Sequence, residues 1–380
     1  MQKLTIPGRI LVYLTVTAGA LLFCTPFFWM MSTALKPIDQ TMSMPPRWLP
    51  FRYEAMLDGR SSEVRLERRL DESALIVRET AGGARHLLPA GAVRDGQAEI
   101  TDRNGGRRTA AVTVLGTVPA GPEAPWCVVS PAAAPAGSDA WTAIPAGELS
   151  RYISFRWKNF ANAIRAMGDF PSYLKNTLLL CLLTVTGTVI SSALAAYGFS
   201  RIEWKGRDKL FLVALATMMI PFPVVMVPLY CLFRALGLIG TLQPLWIGSF
   251  CAGAFNVFLL RQFFRTIPQS LSDAARIDGC SELQIFLRII LPMSKPAMLV
   301  VALFQFMGTW NDFLGPLLYL TDQKDFTLAL GLQAFQSRQG GTEWNYLMAA
   351  SAIVILPVIL LFFFTQRTFI EGIATTGIKE

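Results

Sequence analysis

Apolar residues in this chain fall into long runs, separated by one long polar exception. Six stretches are almost continuously hydrophobic: residues 10–31, 177–199, 210–233, 242–264, 296–320 and 346–364. Each is close to the ~20 residues that cross a bilayer as a helix. The first exceeds the 7–15 residues of a signal-peptide core and has no small-residue cleavage site behind it, so it reads as a retained span that Lys36-Pro37 ends. Between the first and second runs the pattern changes. Residues 64–70, 74–80, 97–102 and 107–116 alternate or cluster β-formers, Asn104-Gly105-Gly106 reads as a turn, and residues 131–140 read as a loop. The expected fold class is an all-α polytopic membrane protein of six transmembrane helices, with a β-rich insert between helices 1 and 2.

Composition supports this division. Of 380 residues, 53% are hydrophobic and only 16% charged, against about 25% charge in a soluble domain. That argues against a soluble enzyme, a disordered chain or a secreted disulfide scaffold. The net charge of +8 belongs to the membrane part: residues 52–151 hold 12 of the 34 basic and 13 of the 26 acidic side chains. No basic patch in the insert is interleaved with aromatics, so nucleic acid is not an expected partner. Cys24, Cys181, Cys231 and Cys251 lie in apolar runs, Cys280 in a polar loop, and Cys127 is alone in the insert, which leaves no disulfide framework. His86 is the single histidine, which rules out a His-based metal site or a Ser-His-Asp triad in the membrane part. No cofactor is called for.

Basic loops orient the spans. Arg201, Lys205, Arg207 and Lys209 follow the second run; Arg261, Arg265, Arg276, Arg288 and Lys295 flank or follow the fourth. The positive-inside rule places these loops and both termini in the cytoplasm, and the insert outside, since long domains translocate largely regardless of charge. The expected domains are 1–50 (N-terminus and first transmembrane helix), 51–152 (extracytoplasmic insert) and 153–380 (five further helices and a cytoplasmic loop at 266–296).

That loop is the most informative stretch: IPQSLSDAARIDGCSELQIFLRIILPMSKP from Ile267. Ser270 with Asp273 reads as a capping box opening a helix through Ile277, and Asp278-Gly279 as its stop. Ser281 with Gln284 caps a second helix toward Ile290, and Pro292 and Pro296 break the chain before the fifth run. Two short helices about a glycine turn suit a rigid peg for a partner's groove. Within the runs, Gln305, Asn311 and Asp312 are the polar side chains of interest. Asp312, on an uninterrupted helix, would lie ~21 Å past Met298 at 1.5 Å per residue. An acid there either faces a pathway or bonds to a neighbouring span. Asn256 is a weaker candidate of the same kind. Pro221, Pro223 and Pro228 must bend or unwind the third run. Trp246, Trp310 and Trp344 read either as sugar-stacking surfaces or as interface anchors.

Asp273-Ala274-Ala275, Gly279 and Ile289-x-Leu291-Pro292 resemble the EAA motif of ABC importer permeases, with Asp273 where the family usually has Glu. Ser32–Lys36, Pro45–Pro50, Trp157–Phe160, Trp310–Phe313, Thr327-Leu328, Ala349–Ser351, Pro357 and Gln366-Arg367-x-Phe369 resemble the carbohydrate branch of that family. The resemblance does not extend over the insert. It implies an inner-membrane half-transporter for a sugar or sugar-like solute, with Asp273, Ala274, Ala275, Gly279, Ile289, Leu291 and Pro292 coupling to an ATPase. Its implied partners are ATP-binding subunits, a second permease subunit, an extracytoplasmic solute-binding protein and membrane lipid. The chain has no G-x-x-x-x-G-K-[ST] phosphate loop, consistent with ATP hydrolysis in partner subunits rather than here. A permease for another small solute, a secondary transporter and a membrane receptor with an external sensing domain are the alternatives.

The topology gives a direct expectation. In a background without the native cysteines, Asn104→Cys is labelled from outside intact cells by an impermeant thiol reagent and Gln284→Cys is not; the reverse pattern overturns the orientation.

Overall fold

The computed structural model describes residues 6–42, 46–57, 59–80, 83–101, 107–122, 124–132, 140–336 and 343–376. The expected turn at 104–106 and most of the loop at 131–140 lie outside the described residues. By contacts the chain divides into two units, Met1–Trp157 and Lys158–Glu380.

The first unit begins with α1, Ile6–Ala34, of which Pro7–Ala34 is apolar enough to span a bilayer. Among the described residues ten strands follow: β1 Phe51–Leu57, β2 Arg60–Leu70, β3 Ala74–Glu79, β4 Arg85–Pro89, β5 Val93–Arg94, β6 Gln97–Thr101, β7 Arg107–Val118, β8 Trp126–Pro131, β9 Thr142–Pro145 and β10 Ser150–Ile153. They form two five-stranded sheets with antiparallel pairings, ordered β10-β1-β2-β8-β9 and β4-β3-β7-β6-β5. β1 and β10, the first and last strands, pair with each other, so the insert closes at its point of departure. Alternation sends Tyr53, Ala55 and Val64 into a core with Cys127, Val129 and Ile144. Leu70 and Val128 of one sheet join Ala74 and Val118 of the other in a shared cluster. Val77, Ala98, Ile100 and Val112 form a third, within the second sheet. Of the four strands expected from the sequence, all appear within a few residues of the expected bounds. β1, β4, β5, β8, β9 and β10 are additional.

The second unit is helical. It comprises α2 Lys158–Met167, α3 Phe170–Ser200, α4 Arg207–Thr217, α5 Phe222–Ala235, α6 Gln243–Trp246, a 3-10 turn Ile247–Cys251 and α7 Ala254–Thr266. Then come α8 Gln269–Ile277, α9 Glu282–Ile285, a π-helical turn Phe286–Ile290, α10 Leu291–Met293, α11 Lys295–Trp310, α12 Leu314–Tyr319, α13 Leu328–Gln336 and α14 Trp344–Thr376. Phe170–Ser200, Gln243–Thr266 and Trp344–Gln366 are long and apolar enough to span. Two further pairs pass the same test but are bent: Arg207–Thr217 with Phe222–Ala235 by 95°, and Glu282–Met293 with Lys295–Trp310 by 78°. The protein is thus a multi-pass membrane protein, mostly helical, with a β-rich insert and, among the described residues, four helices long and apolar enough to cross a membrane, or six if each bent pair is one span.

α3 is the central helix, packed against α7, α11 and α13. Small and hydroxylated residues face these neighbours: Thr184, Gly187, Thr188, Ser192, Ala193 and Ala196 are buried. This is how helices approach closely in lipid, where apolar burial alone provides no drive. A Cβ on Gly187 would lie 2.7 Å from the Phe250 ring.

The expected proline bend in the third run is present, and two other expectations change. The 95° bend falls at Met218–Pro221, where Pro221 starts α5 after the break, while Pro228 stays inside α5 without ending it. The fifth run is not one helix: α11 stops at Trp310 because Asn311 and Asp312 turn their side chains back on the backbone, and α12 starts anew. The polar connections also carry helices the apolar pattern did not announce. One is the amphipathic α2, whose Asn159, Ala163 and Met167 are buried and which packs on α14.

Candidate functional site

The loop at 266–296 is built on the C-terminal end of α7. The last carbonyls of a helix lack intrahelical donors and attract cations. Arg201, the residue after α3, meets that need. Its Nη2 donates to the carbonyls of Phe264 and Ile267, the latter at 2.5 Å, and its Nη1 donates to Gln269 Oε1 at 2.7 Å. Only 6% of Arg201 is exposed. Arg261, also buried, donates from Nε to the Phe199 carbonyl at 3.0 Å, pairs with Asp208 at 3.1 Å and lies 4.1 Å over the Phe211 ring. Two guanidinium groups therefore bind the ends of α3, α4 and α7 into one block.

The two loop helices hang from that block. Gly279 takes φ +82°, the left-handed conformation that glycine adopts without a Cβ clash, and turns the chain between α8 and α9. Ser281 and Gln284 make the reciprocal capping box: Ser281 N–H donates to Gln284 Oε1 at 2.8 Å, and Gln284 N–H donates to Ser281 Oγ at 3.4 Å. A further tie crosses the turn. Arg276 donates to Asp273 at 2.7 Å and to Glu282 at 2.8 Å, and Glu282 accepts from the Tyr197 hydroxyl of α3 at 2.6 Å. Arg276 first, and the Tyr197 hydroxyl second, hold the Glu282 carboxyl below the usual carboxylate range. Ala275, Ile285, Phe286 and Ile290 bury themselves in a core with Tyr197, Leu260, Phe264 and Val301, and Ile289 and Leu291 pack against it.

The expected residues thus separate into two sets. Ala275, Ile289 and Leu291 anchor the loop, whereas Asp273, Ala274, Gly279 and Pro292 are exposed. Exposed beside them are Ile277 at 87% and Leu283 at 60%.

Two details of the loop differ from expectation. Ser270 does not cap α8: the helix begins at Gln269 behind Pro268, which puts Ser270 inside the first turn, and Asp273 accepts from Arg276 instead. Pro292 does not break the chain. The widened π-helical turn at Phe286–Ile290 precedes it, Pro292 sits in the first turn of α10, and the bend comes at Ser294 before Pro296.

A second constellation lies at the other end of α11. Gln305 Nε2 donates to Thr309 Oγ1 at 3.2 Å, and Thr309 Oγ1 lies 2.9 Å from Thr184 Oγ1 on α3. Gln305, Thr309 and Asp312 line a cavity of about 130 Å³ together with Leu180, Leu245 and Thr327. Asp312 Oδ1 accepts from the Gly315 N–H at 3.1 Å. Asn311 does not join them; it is exposed, and its amide donates to the Met307 carbonyl at 2.8 Å. Asn256 likewise does not line this cavity. Trp310 is buried and donates from Nε1 to the Val354 carbonyl at 3.2 Å, so it is a structural contact between α11 and α14.

Sequence reasoning missed Arg201, Tyr197, Arg276 and Glu282 as parts of the loop's support, Thr309 as a cavity group, and Thr184 as its partner on α3. The Asp273–Arg276 pair is readable from its i,i+3 spacing. Arg276–Glu282 spans six residues across the glycine turn, and the others join residues 60 to 130 positions apart and carry no local signal.

Residues 187–374 match the family described as binding-protein-dependent transport system inner membrane component. The chain is 34% identical over 221 residues to the arabinooligosaccharides transport system permease protein AraQ of Halalkalibacterium halodurans, covering 58% of this chain and 78% of that one. The chain belongs to that family. It is a permease subunit of an ABC transporter, a transport component rather than an enzyme. A second relative is the trehalose/maltose transport system permease protein MalG of Thermococcus litoralis, 34% identical over 224 residues, 57% of this permease and 80% of the relative. Among solved structures, that of a bacterial ABC transporter involved in the import of the acidic polysaccharide alginate matches in fold. Its TM-score is 0.52 at 23% identity, over 57% of this chain and 80% of that one.

The Glu282 geometry has a pH signature. A carboxyl whose folded-state pKa is depressed contributes fully above its unfolded value, and that contribution is lost as pH falls through the lowered folded value. Hydrogen exchange across residues 276–286 is therefore slow at neutral pH and accelerates below the ordinary carboxylate range in the wild type. In Glu282→Gln it is faster at neutral pH and loses that acid-side step.

Proposed function

We propose that this permease carries a sugar or sugar-like solute, that a separate ATPase drives it through the loop at 266–296, and that a binding protein delivers the solute. The names of the AraQ and MalG relatives support the solute class. The loop's construction carries the coupling reading. Its inner side is locked to α3 and α7 through Arg201, Tyr197 and the Ala275–Ile290 core, while Ile277 and Leu283 stay exposed next to Asp273, Ala274 and Gly279. A rigid peg with apolar side chains on its free side suits insertion into a groove of a partner. A push on α8 and α9 would pass through the Arg276–Glu282–Tyr197 chain into α3.

In this reading all six apolar runs cross the membrane, both termini and the loop are cytoplasmic, and a second permease subunit completes the pathway. The Gln305–Thr309–Asp312 cavity is the segment of the pathway that this subunit contributes, since amide, hydroxyl and carboxylate groups suit the hydroxyls of a sugar. The insert, extracytoplasmic on the same reading, serves as a docking surface for the binding protein or the partner permease.

Two outcomes test this. Valine at 279 must adopt a backbone conformation costing about 1–2 kcal/mol for an L-residue, so Gly279→Val abolishes ATP-driven uptake while the protein still inserts; wild-type transport in that variant overturns the coupling assignment. Deleting residues 52–150 leaves ATPase co-purification intact and weakens uptake most at low binding-protein concentration. Loss of the ATPase instead makes the insert part of the transporter core.

A further inference from the structure

One face of the first sheet is charged where the other is core. Along β1, Tyr53 and Ala55 are buried, which sends Arg52 and Glu54 to the opposite face; along β2, Val64 does the same for Glu63 and Arg65. The pairing Tyr53↔Val64 and Glu54↔Glu63 brings the two alternations into register. Arg156 reaches the same place from just beyond β10. Arg52, Glu63, Arg65 and Arg156 bound a cavity of about 200 Å³, closed on another side by Pro37, Ile38 and Gln40. One water needs only about 10–15 Å³ measured this way.

Three guanidinium groups face one carboxylate there. Glu63 accepts from Arg52 Nη2 at 2.6 Å through one oxygen and from Arg156 through the other. Glu54 is engaged by Ser61 at 3.3 Å and by Tyr152. Gln40 spends both ends of its amide on the Phe51 backbone, at 2.6 and 3.0 Å. Arg65 has no carboxylate within ion-pairing distance among the described residues. Its Nη1, like Arg52 Nε, is sealed from solvent and has no hydrogen-bond partner among them. A buried donor left unpaired is costly, more so when charged, so an arrangement of this kind is completed by an acceptor from outside.

We propose that this cavity is an oxyanion site, taking a phosphate or carboxylate group between Arg52, Arg65 and Arg156. The planar forks of arginine match both groups with paired donors, and Glu63 holds two of the three forks in place. The group has two possible sources. Pro37 and Ile38 follow the end of α1 by only a few residues, which sets the cavity within reach of a lipid phosphate. The same opening admits a soluble anion.

The test uses the full chain, purified with the subunits that accompany it and reconstituted in phosphatidylcholine nanodiscs. Thermal unfolding is followed with added inorganic phosphate or glucuronate, and in discs containing phosphatidylglycerol. The wild type is stabilised by at least one of these. Soluble anions alone assign a free ligand, and phosphatidylglycerol alone assigns a lipid headgroup. Arg65→Gln weakens the response at least tenfold in apparent affinity, yet without anion it melts no lower than the wild type, because an unpaired buried donor, Nη1, has gone. Arg68→Gln, farther along β2, responds as the wild type does. Absence of any anion response in the wild type, or an unchanged response in Arg65→Gln, overturns the proposal.

Discussion

A helix that ends inside a packed membrane protein leaves carbonyl groups that something must satisfy, and at the end of α7 that something is Arg201. Its guanidinium reaches from the end of α3 to the Phe264 and Ile267 carbonyls and to Gln269. The consequence is mechanical as well as electrostatic. The start of α8 is fixed relative to α3, the central helix of the unit, so α8 and α9 cannot swing as a free loop. Tyr197, one turn earlier on α3, makes the second attachment through Glu282. The π-helical turn at Phe286–Ile290 lets Ile285, Phe286 and Ile290 keep their place in the core while Pro292 enters the next turn without a clash. With its inner side so committed, the loop has only its outer side left for a partner.

The same requirement shapes the opposite end of α11. Backbone can leave the helical path at membrane depth only where side chains or water satisfy it. At Asn311–Phe313 the side chains of Asn311 and Asp312 do so, and the break opens a small cavity with Gln305 and Thr309 on its wall. Thr309 lies 2.9 Å from Thr184 on α3, and Glu282 bonds to Tyr197 on that same helix. α3 therefore touches both the proposed coupling loop and the proposed pathway segment, joining them by a single continuous helix.

Much of this was legible in the sequence, for reasons that can be named. The apolar runs are long because lipid offers no hydrogen bonds; five of the six map onto a long apolar helix or the first bent pair, and the fifth divides between α11 and α12. Gly279 and the Ser281–Gln284 box act within a few residues of themselves, so spacing alone carried them. What escaped was non-local or context-bound. Arg201 reads as a topology signal until Phe264 and Ile267, more than sixty residues on, are placed beside it. Ser270 has the right spacing for a cap but the wrong position once Pro268 starts the helix. Asn311 and Asp312 are equivalent in sequence, yet one bonds backward to its own helix and the other lines the cavity. β1 and β10 pair across nearly a hundred residues, a closure that neither strand announces alone.

The central claim is that the free side of the 266–296 loop is an interface for the ATPase. The most direct measurement is a structure of the chain assembled with the proposed ATPase subunit. The account predicts that Ile277 and Leu283, exposed here, become buried against the nucleotide-binding subunit, with Arg201 still on the Phe264 and Ile267 carbonyls and Glu282 still on Tyr197. A complex in which Ile277 and Leu283 remain in solvent while the ATPase contacts another part of the chain would contradict it.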